Sequence, residues 1–156
     1  MMKRLAALAA ATAVTVSVVA GGTASASPRS GTQHFLLRET DFNQSTSVVV
    51  ARGPITATGI DVVISDTRDR FVFPQGNLII DHQPTSTEDS FNPRTCTARF
   101  EEEGTYQIVR GTGKYDDVSG HGTYEVNVLV VGCDENNPER FLLTIKASGP
   151  IAFNDD

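Results

Sequence analysis

The sequence predicts an all-β domain, folded either as a closed barrel or as a two-sheet sandwich. Three observations predict it. Segments crowded with β-branched and aromatic residues follow one another at 34–39, 46–52, 55–64, 70–74, 77–83, 95–101, 105–110, 122–131 and 140–152. Gly, Pro, Asn and Asp interrupt them at short intervals, as in sandwiches and barrels. No window of a dozen residues carries the i, i+3, i+4, i+7 apolar stripe and end caps of an amphipathic helix.

The chain begins differently. Lys3 and Arg4 precede an uncharged, Ala-rich run from Leu5 to Ala20, and Ala24-Ser25-Ala26 supplies the small residues that a signal peptidase reads. Residues 1–26 are therefore expected to be a secretory signal peptide cut after Ala26. The alternative, a membrane anchor, is disfavoured because the apolar run is shorter than the ~20 residues needed to span a bilayer. No Cys follows the cleavage point and Lys3-Arg4 is not a twin-Arg pair, so the general secretory route to the extracellular space is expected, with no anchor left behind.

Residues 27–33 (SPRSGTQ) are polar and read as a flexible mature N-terminus, leaving 34–156 as a single β domain. Of the 13 Lys and Arg, Lys3 and Arg4 fall in the leader; the other 11 face 19 Asp and Glu, a net charge of −8. Such a chain, with its basic residues scattered, repels phosphate backbones, so no nucleic-acid partner is expected. Cys96 and Cys133 form an even pair in an exported chain, which favours a disulfide. A loop of this length stabilises by ~4 kcal/mol in the chain-entropy model. Neither Cys sits in a cluster with metal-ligand spacing, so no metal is expected.

Alternation assigns faces to several strands. Tyr124, Val126, Val128 and Val130 share one face. Phe141, Leu143, Ile145, Ala147, Gly149, Ile151 and Phe153 continue one face of the last strand, whose length and Gly inserts suit a sheet that curls to close. Glu102, Glu103 and Gly104 fit a three-residue hairpin loop with Gly in the left-handed position. That register sets Phe100 opposite Tyr106 and Ala98 opposite Ile108. An internal echo, Ala51-Arg52-Gly53-Pro54-Ile55 and Ala147-Ser148-Gly149-Pro150-Ile151, marks either the seam between first and last strands or a coincidence.

The densest glycine run is 111-GTGKYDDVSGHG-122. Gly113-Lys114 is not a phosphate loop: Tyr115 follows the Lys where Ser or Thr is needed, Ile108 stands where the first Gly belongs, and no helix follows. No nucleotide cofactor is expected. The run reads instead as a turn closing one end of the barrel, with Gly111 and Gly113 free to take positive φ. Lys114–Val118 makes one helical turn that puts Tyr115 and Val118 inward, and Gly120 and Gly122 open the next strand.

Ile108 to Tyr115, followed by Val118-Ser119-Gly120, resembles the glycine-rich turn of the allene oxide cyclase and dirigent barrel superfamily. The chain as a whole resembles exported actinobacterial proteins that share this turn and a Cys pair. Arg110 stands where that turn usually has its first Gly. The resemblance implies a closed eight-stranded antiparallel barrel with an apolar ligand cavity, the two-sheet sandwich being the alternative. It carries over no activity, because the superfamily's catalytic positions have no match here.

Cavity candidates follow from alternation. Leu78, Ile80 and His82 share a face, and Arg110 falls with Tyr106 and Ile108, so His82 and Arg110 are the candidate polar groups inside. Both could instead reach solvent at strand ends. Phe71, Phe73, Phe100, Tyr106 and Tyr124 are the candidate lining, or simply core. His121 lies between two glycines with no Ser or Asp in a triad-like order, and reads as an exposed turn residue. The acidic stretch 134–138 lacks the central Gly and terminal Glu of a calcium loop. Three function classes remain: a secreted binder of a small apolar ligand; a metal- and nucleotide-independent cyclase or isomerase in such a cavity; and a non-catalytic extracellular interaction module.

Overall fold

The computed structural model describes residues 30–44, 46–134 and 136–154. The signal peptide and cleavage site expected at residues 1–26 lie outside the described residues. The chain forms a closed barrel in which eight strands pair antiparallel in sequence order, and the last pairs with the first. They are β1 (Ser30–Glu39), β2 (Thr46–Arg52), β3 (Ala57–Ser65), β4 (Arg68–Phe73), β5 (Gly76–Asn92), β6 (Thr97–Gly111), β7 (Val118–Val131) and β8 (Arg140–Phe153). Closure leaves no unpaired sheet edge around the barrel itself.

Three expectations are corrected. Ser30–Gln33 belong to β1 rather than to a flexible terminus: they pair with Gly149–Ala152 of β8. Gln33 is fully buried, where its side-chain amide donates to the carbonyl oxygen of Ile55 at 3.0 Å and its carbonyl oxygen accepts from the Ile55 N–H at 2.9 Å. A polar residue thus anchors the bend after β2, which polarity alone disguised as a loose end.

The hairpin at Glu102–Gly104 does not form. β6 runs through it as one strand, with Gly104 between Pro84 of β5 and Tyr124 of β7. Phe100 faces Asp89 and Val128, not Tyr106. The β5–β6 connection lies at residues 93–96 instead, with Cys96 in the left-handed region at φ 46°. This places Cys96 at the far end of β6 from the glycine-rich turn, beside the end of β7. There it is joined to Cys133 by a disulfide with a Cα–Cα distance of 5.0 Å.

The third correction concerns Arg110. Ile80 pairs with Ile108 and Ile79 with Arg110, so Val109 is an extra residue, a β-bulge. The bulge shifts the side-chain alternation by one. Gly111, rather than Arg110, continues the inner face, and Arg110 is exposed.

The glycine-rich run forms a single 3-10 turn, Gly113–Tyr115, and Tyr115 and Val118 are both buried. Gly113 takes a positive φ of 64°, whereas Gly111 is ordinary strand. From Tyr115 an edge-to-face column of rings climbs the barrel axis through Phe73, Phe71 and Phe35 to Tyr106, with centroids 5.3–6.3 Å apart. The two copies of the internal echo flank β1: Phe35 lies between Ala51 on one side and Ala147 on the other, where small side chains leave room for its ring.

At the opposite end the wall is uneven. β4 pairs with β5 only from Gly76 to Asp81, whereas β5 pairs with β6 as far as Asn92. The far halves of β5, β6 and β7 and the start of β8 therefore project past the rim as a four-stranded curled sheet, tied near its tip by the Cys96–Cys133 bridge.

Candidate functional site

The site is the open end of the barrel. Above the aromatic column a cavity of about 80 Å³ has a floor of Phe35, Phe71, Ile80 and Tyr106 and polar walls of Asp69, His82, Glu102 and Tyr124. Alternation builds it. Asp69 precedes Phe71 and Phe73 on the inner face of β4, His82 follows Leu78 and Ile80 on β5, and Glu102 lies two residues from Gly104 and four from Tyr106 on β6.

The polar groups couple in two pairs. His82 Nε2 lies 3.2 Å from Asp69 Oδ2. This hydrogen bond raises the imidazole pKa above its usual value, against the opposing effect of partial burial. The Tyr124 hydroxyl donates to Glu102 Oε1 at 2.8 Å, and its pKa is raised, first by burial and then by that carboxylate. The rings of His82 and Tyr124 meet edge to face at 5.8 Å, linking the pairs.

Two further carboxylates sit behind this lining, on β3 and β1, and extend the belt through their charge coupling to it. Asp61 on β3 is only 5% exposed. Its pKa is pushed up to about 7, chiefly by burial and then by the charge of Asp69, while His82 pulls the other way. Glu39 on β1 accepts a 3.1 Å hydrogen bond from the Ser47 hydroxyl through Oε2. Three buried polar atoms have no hydrogen-bond partner among the described residues: Asp61 Oδ1, Glu39 Oε1 and the Tyr106 hydroxyl. Burial alone pushes the Tyr106 pKa up to about 12. Every described Lys and Arg, by contrast, is exposed. The interior thus holds four carboxylates and one imidazole, with no permanent cation. Among the described residues no three His, Cys, Asp or Glu side chains are placed to share a metal ion.

The sequence candidates divide accordingly. His82, Phe71, Tyr106 and Tyr124 line the cavity. Phe73 is buried one layer deeper against Tyr115, and Phe100 lies above, half-buried on the projecting sheet. Arg110 is outside, and His121 is exposed on β7 opposite Gln107. Gly111, Gly113 and Tyr115 close the far end, while Gly122 makes room for the Tyr106 ring, which a Cβ there would meet at 2.7 Å. Asp61, Asp69, Glu102 and Glu39 were not among the candidates. Asp69 shares the parity of Phe71 and Phe73, a signal present in the sequence, whereas the turn-like composition of Glu102-Glu103-Gly104 conceals Glu102.

No family model, curated protein or solved structure matches the chain.

Proposed function

We propose that this protein is a binding barrel for a small organic cation, a ligand with an apolar group and a protonated nitrogen. The observation that carries the reading is the contrast between an anionic belt over an aromatic floor and the exposure of every described Lys and Arg. Carboxylates supply Coulomb attraction and hydrogen-bond acceptors, and the faces of Phe35, Phe71, Tyr106 and Tyr124 tolerate an alkylammonium better than an anion. The cavity is far smaller than the ~300–1,000 Å³ that envelops a drug-sized ligand. A short apolar group and the charged nitrogen fill it, and the rest of the ligand stays at the mouth. Kinship with the allene oxide cyclase and dirigent barrels, and an extracellular setting, belong to the same proposal. The closed eight-stranded barrel supports the first and the Cys96–Cys133 bridge the second.

The test is calorimetric titration with three probes of equal chain length: hexylamine, hexanol and hexanoate. Hexylamine is expected to bind at least tenfold more tightly than hexanol, and hexanoate not at all. Equal binding of all three, or preference for hexanoate, overturns the reading.

A catalytic reading has one observation in its favour, the Asp69–His82 pair facing the cavity. A carboxylate-oriented imidazole beside a Tyr hydroxyl is suited to moving a proton in a cyclase or isomerase. Turnover of a bound substrate that His82→Gln abolishes, with affinity retained, is the result expected on that reading; unchanged turnover would remove it.

A further inference from the structure

The inner face of the projecting sheet is mostly apolar, with Asp89 at its β5 edge. Alternation carried past Glu102 places Phe100 and Ala98 of β6, Val128 and Val130 of β7, and Leu143 and Phe141 of β8 on the side that continues the barrel interior. Cross-strand registers align them in two rows, Asp89–Phe100–Val128–Leu143 and Phe91–Ala98–Val130–Phe141. Phe91 is 64% exposed, and the inward residues of β6, β7 and β8 in these rows are only half-buried. Phe42, from the connection after β1, turns back to meet Phe141 edge to face at 5.5 Å. The outer face of the same strands carries Glu88, Glu101, Glu103 and Glu125, with Arg99, Leu129 and the exposed Leu142 nearer the tip. The inner apolar rows thus form a trough open to solvent, beyond the anionic belt on the same face.

We propose that this trough holds the hydrocarbon tail of the ligand, so that the natural ligand is a long-chain cationic amphiphile. The inference rests on the cation-binding reading above and deepens it. Three features select this occupant. The trough is continuous with the cavity, since the inner faces of β6, β7 and β8 line both. The belt between them is anionic, which matches an ammonium at the junction of tail and headgroup. Within that belt and floor, the nearly buried Asp61 carboxylate and Tyr106 hydroxyl each present an atom without a partner among the described residues. From Glu102 to Ala98 the strand rises ~13 Å at ~3.4 Å per residue, the reach of a medium-length alkyl chain.

The experiment is a chain-length series of hexylamine, nonylamine and dodecylamine, titrated below their micellar concentrations into the intact disulfide-bonded protein. Full burial of a methylene is worth roughly fourfold in affinity, and a half-open trough should return about twofold. Dodecylamine is therefore expected to bind some 50-fold more tightly than hexylamine. Phe91→Ser should flatten that slope, whereas Glu101→Gln on the outer face should preserve it. Hexylamine and dodecylamine binding equally would overturn the trough proposal while leaving the cation site standing; no amine binding at all would overturn both. Sedimentation in parallel tests a different occupant. A dimer dispersed by Phe91→Ser, with the amine slope unchanged, would assign the trough to a second copy of the chain and reject the tail.

Discussion

The ring of Tyr124 occupies the space above Gly104: a Cβ at position 104 would meet its Cε1 and Cζ at 2.5 Å. The glycine is therefore needed for packing in a continuous strand, and its φ is not in the left-handed region. Gly104→Ala is expected to displace Tyr124, break its bond to Glu102 and cost about 1–3 kcal/mol as overpacking. Gly104→Asn makes the sharper test. Asn tolerates a left-handed turn but is larger still, so a hairpin would accept it and this barrel should not. Urea midpoints for both variants check this; Asn matching or exceeding Ala would contradict the continuous strand.

Gln33 joins β1 to the bend after β2 through both ends of its amide. Replacing it with Leu leaves the Ile55 N–H and C=O without that partner in a buried place. A loss of about 2–4 kcal/mol is expected, well beyond that of a surface Gln. Thermal unfolding of Gln33→Leu beside a truncation at residue 29 separates the two views of this segment. If 30–33 were loose, Gln33→Leu would be neutral.

The barrel was legible because strand alternation and glycine punctuation are local signals. His82 with Ile80 and Tyr124 with Val126 keep the faces that simple parity assigns, and Tyr115 with Val118 the inward side that a helical turn gives them. What failed was what parity cannot carry. The bulge at Val109 inverts the face of Arg110, and nothing in Ile108-Val109-Arg110 announces an unpaired residue. Glu102-Glu103-Gly104 has turn composition but sits between two partners that hold it extended. The acidic belt was hidden for a related reason. Asp61 and Asp69 meet across the β3–β4 hairpin, but Glu102 comes from β6, more than thirty residues on, and only the closed barrel brings its charge to theirs.

Asp61 should make stability depend on pH in an unusual direction for a carboxylate. Its pKa is about 7 in the folded protein against an ordinary 3.8. Below pH 3.8 it is protonated in both states and its contribution is fully present. As pH rises from there towards 7 the unfolded chain ionises first, and the contribution is lost, by something on the order of 4 kcal/mol. Above pH 7 there is no further change. Asp61→Asn removes this dependence, so the variant should exceed the wild type in stability at pH 8 and approach it near pH 4. Urea unfolding at pH 4, 6 and 8 measures the difference; a gap that is constant with pH would show that burial does not hold this proton.

The Cys96–Cys133 bridge spans the tips of β6 and β7, beyond the part of the barrel that closes. In the chain-entropy model, losing a 37-residue cross-link costs ~4 kcal/mol overall. The loss is expected to be local first. β5 from Gln83 to Asn92 has β6 on one side and no β4 partner on the other, so amide exchange there should accelerate on reduction before the Phe35–Phe71–Tyr106 layer is affected. Uniform acceleration across the barrel would mean that the projection and the barrel unfold as one unit.

Cation affinity should rise with pH across neutrality. At pH 5 Asp61 is protonated and His82, whose pKa the Asp69 bond raises, is charged; the belt is then at its least anionic. By pH 8.5 Asp61 has ionised. Tyr124 and Tyr106, both raised, stay neutral throughout. Asp69 and Glu102 line this space and Glu39 acts on Asp61 from β1, so the net change is towards more negative charge. Hexylamine stays protonated over the whole range, with a pKa near the ~10.4 of a Lys side chain. One added charge ~6 Å away at an effective dielectric of 20–40 is worth about 1.4–2.8 kcal/mol, a tenfold or greater gain. Hexylamine should therefore bind at least ten times more tightly at pH 8.5 than at pH 5, hexanol should bind equally at both, and Asp61→Asn should lose a large part of the gain. Amine affinity that is flat or falls with pH would mean that the cation does not sit within reach of this belt.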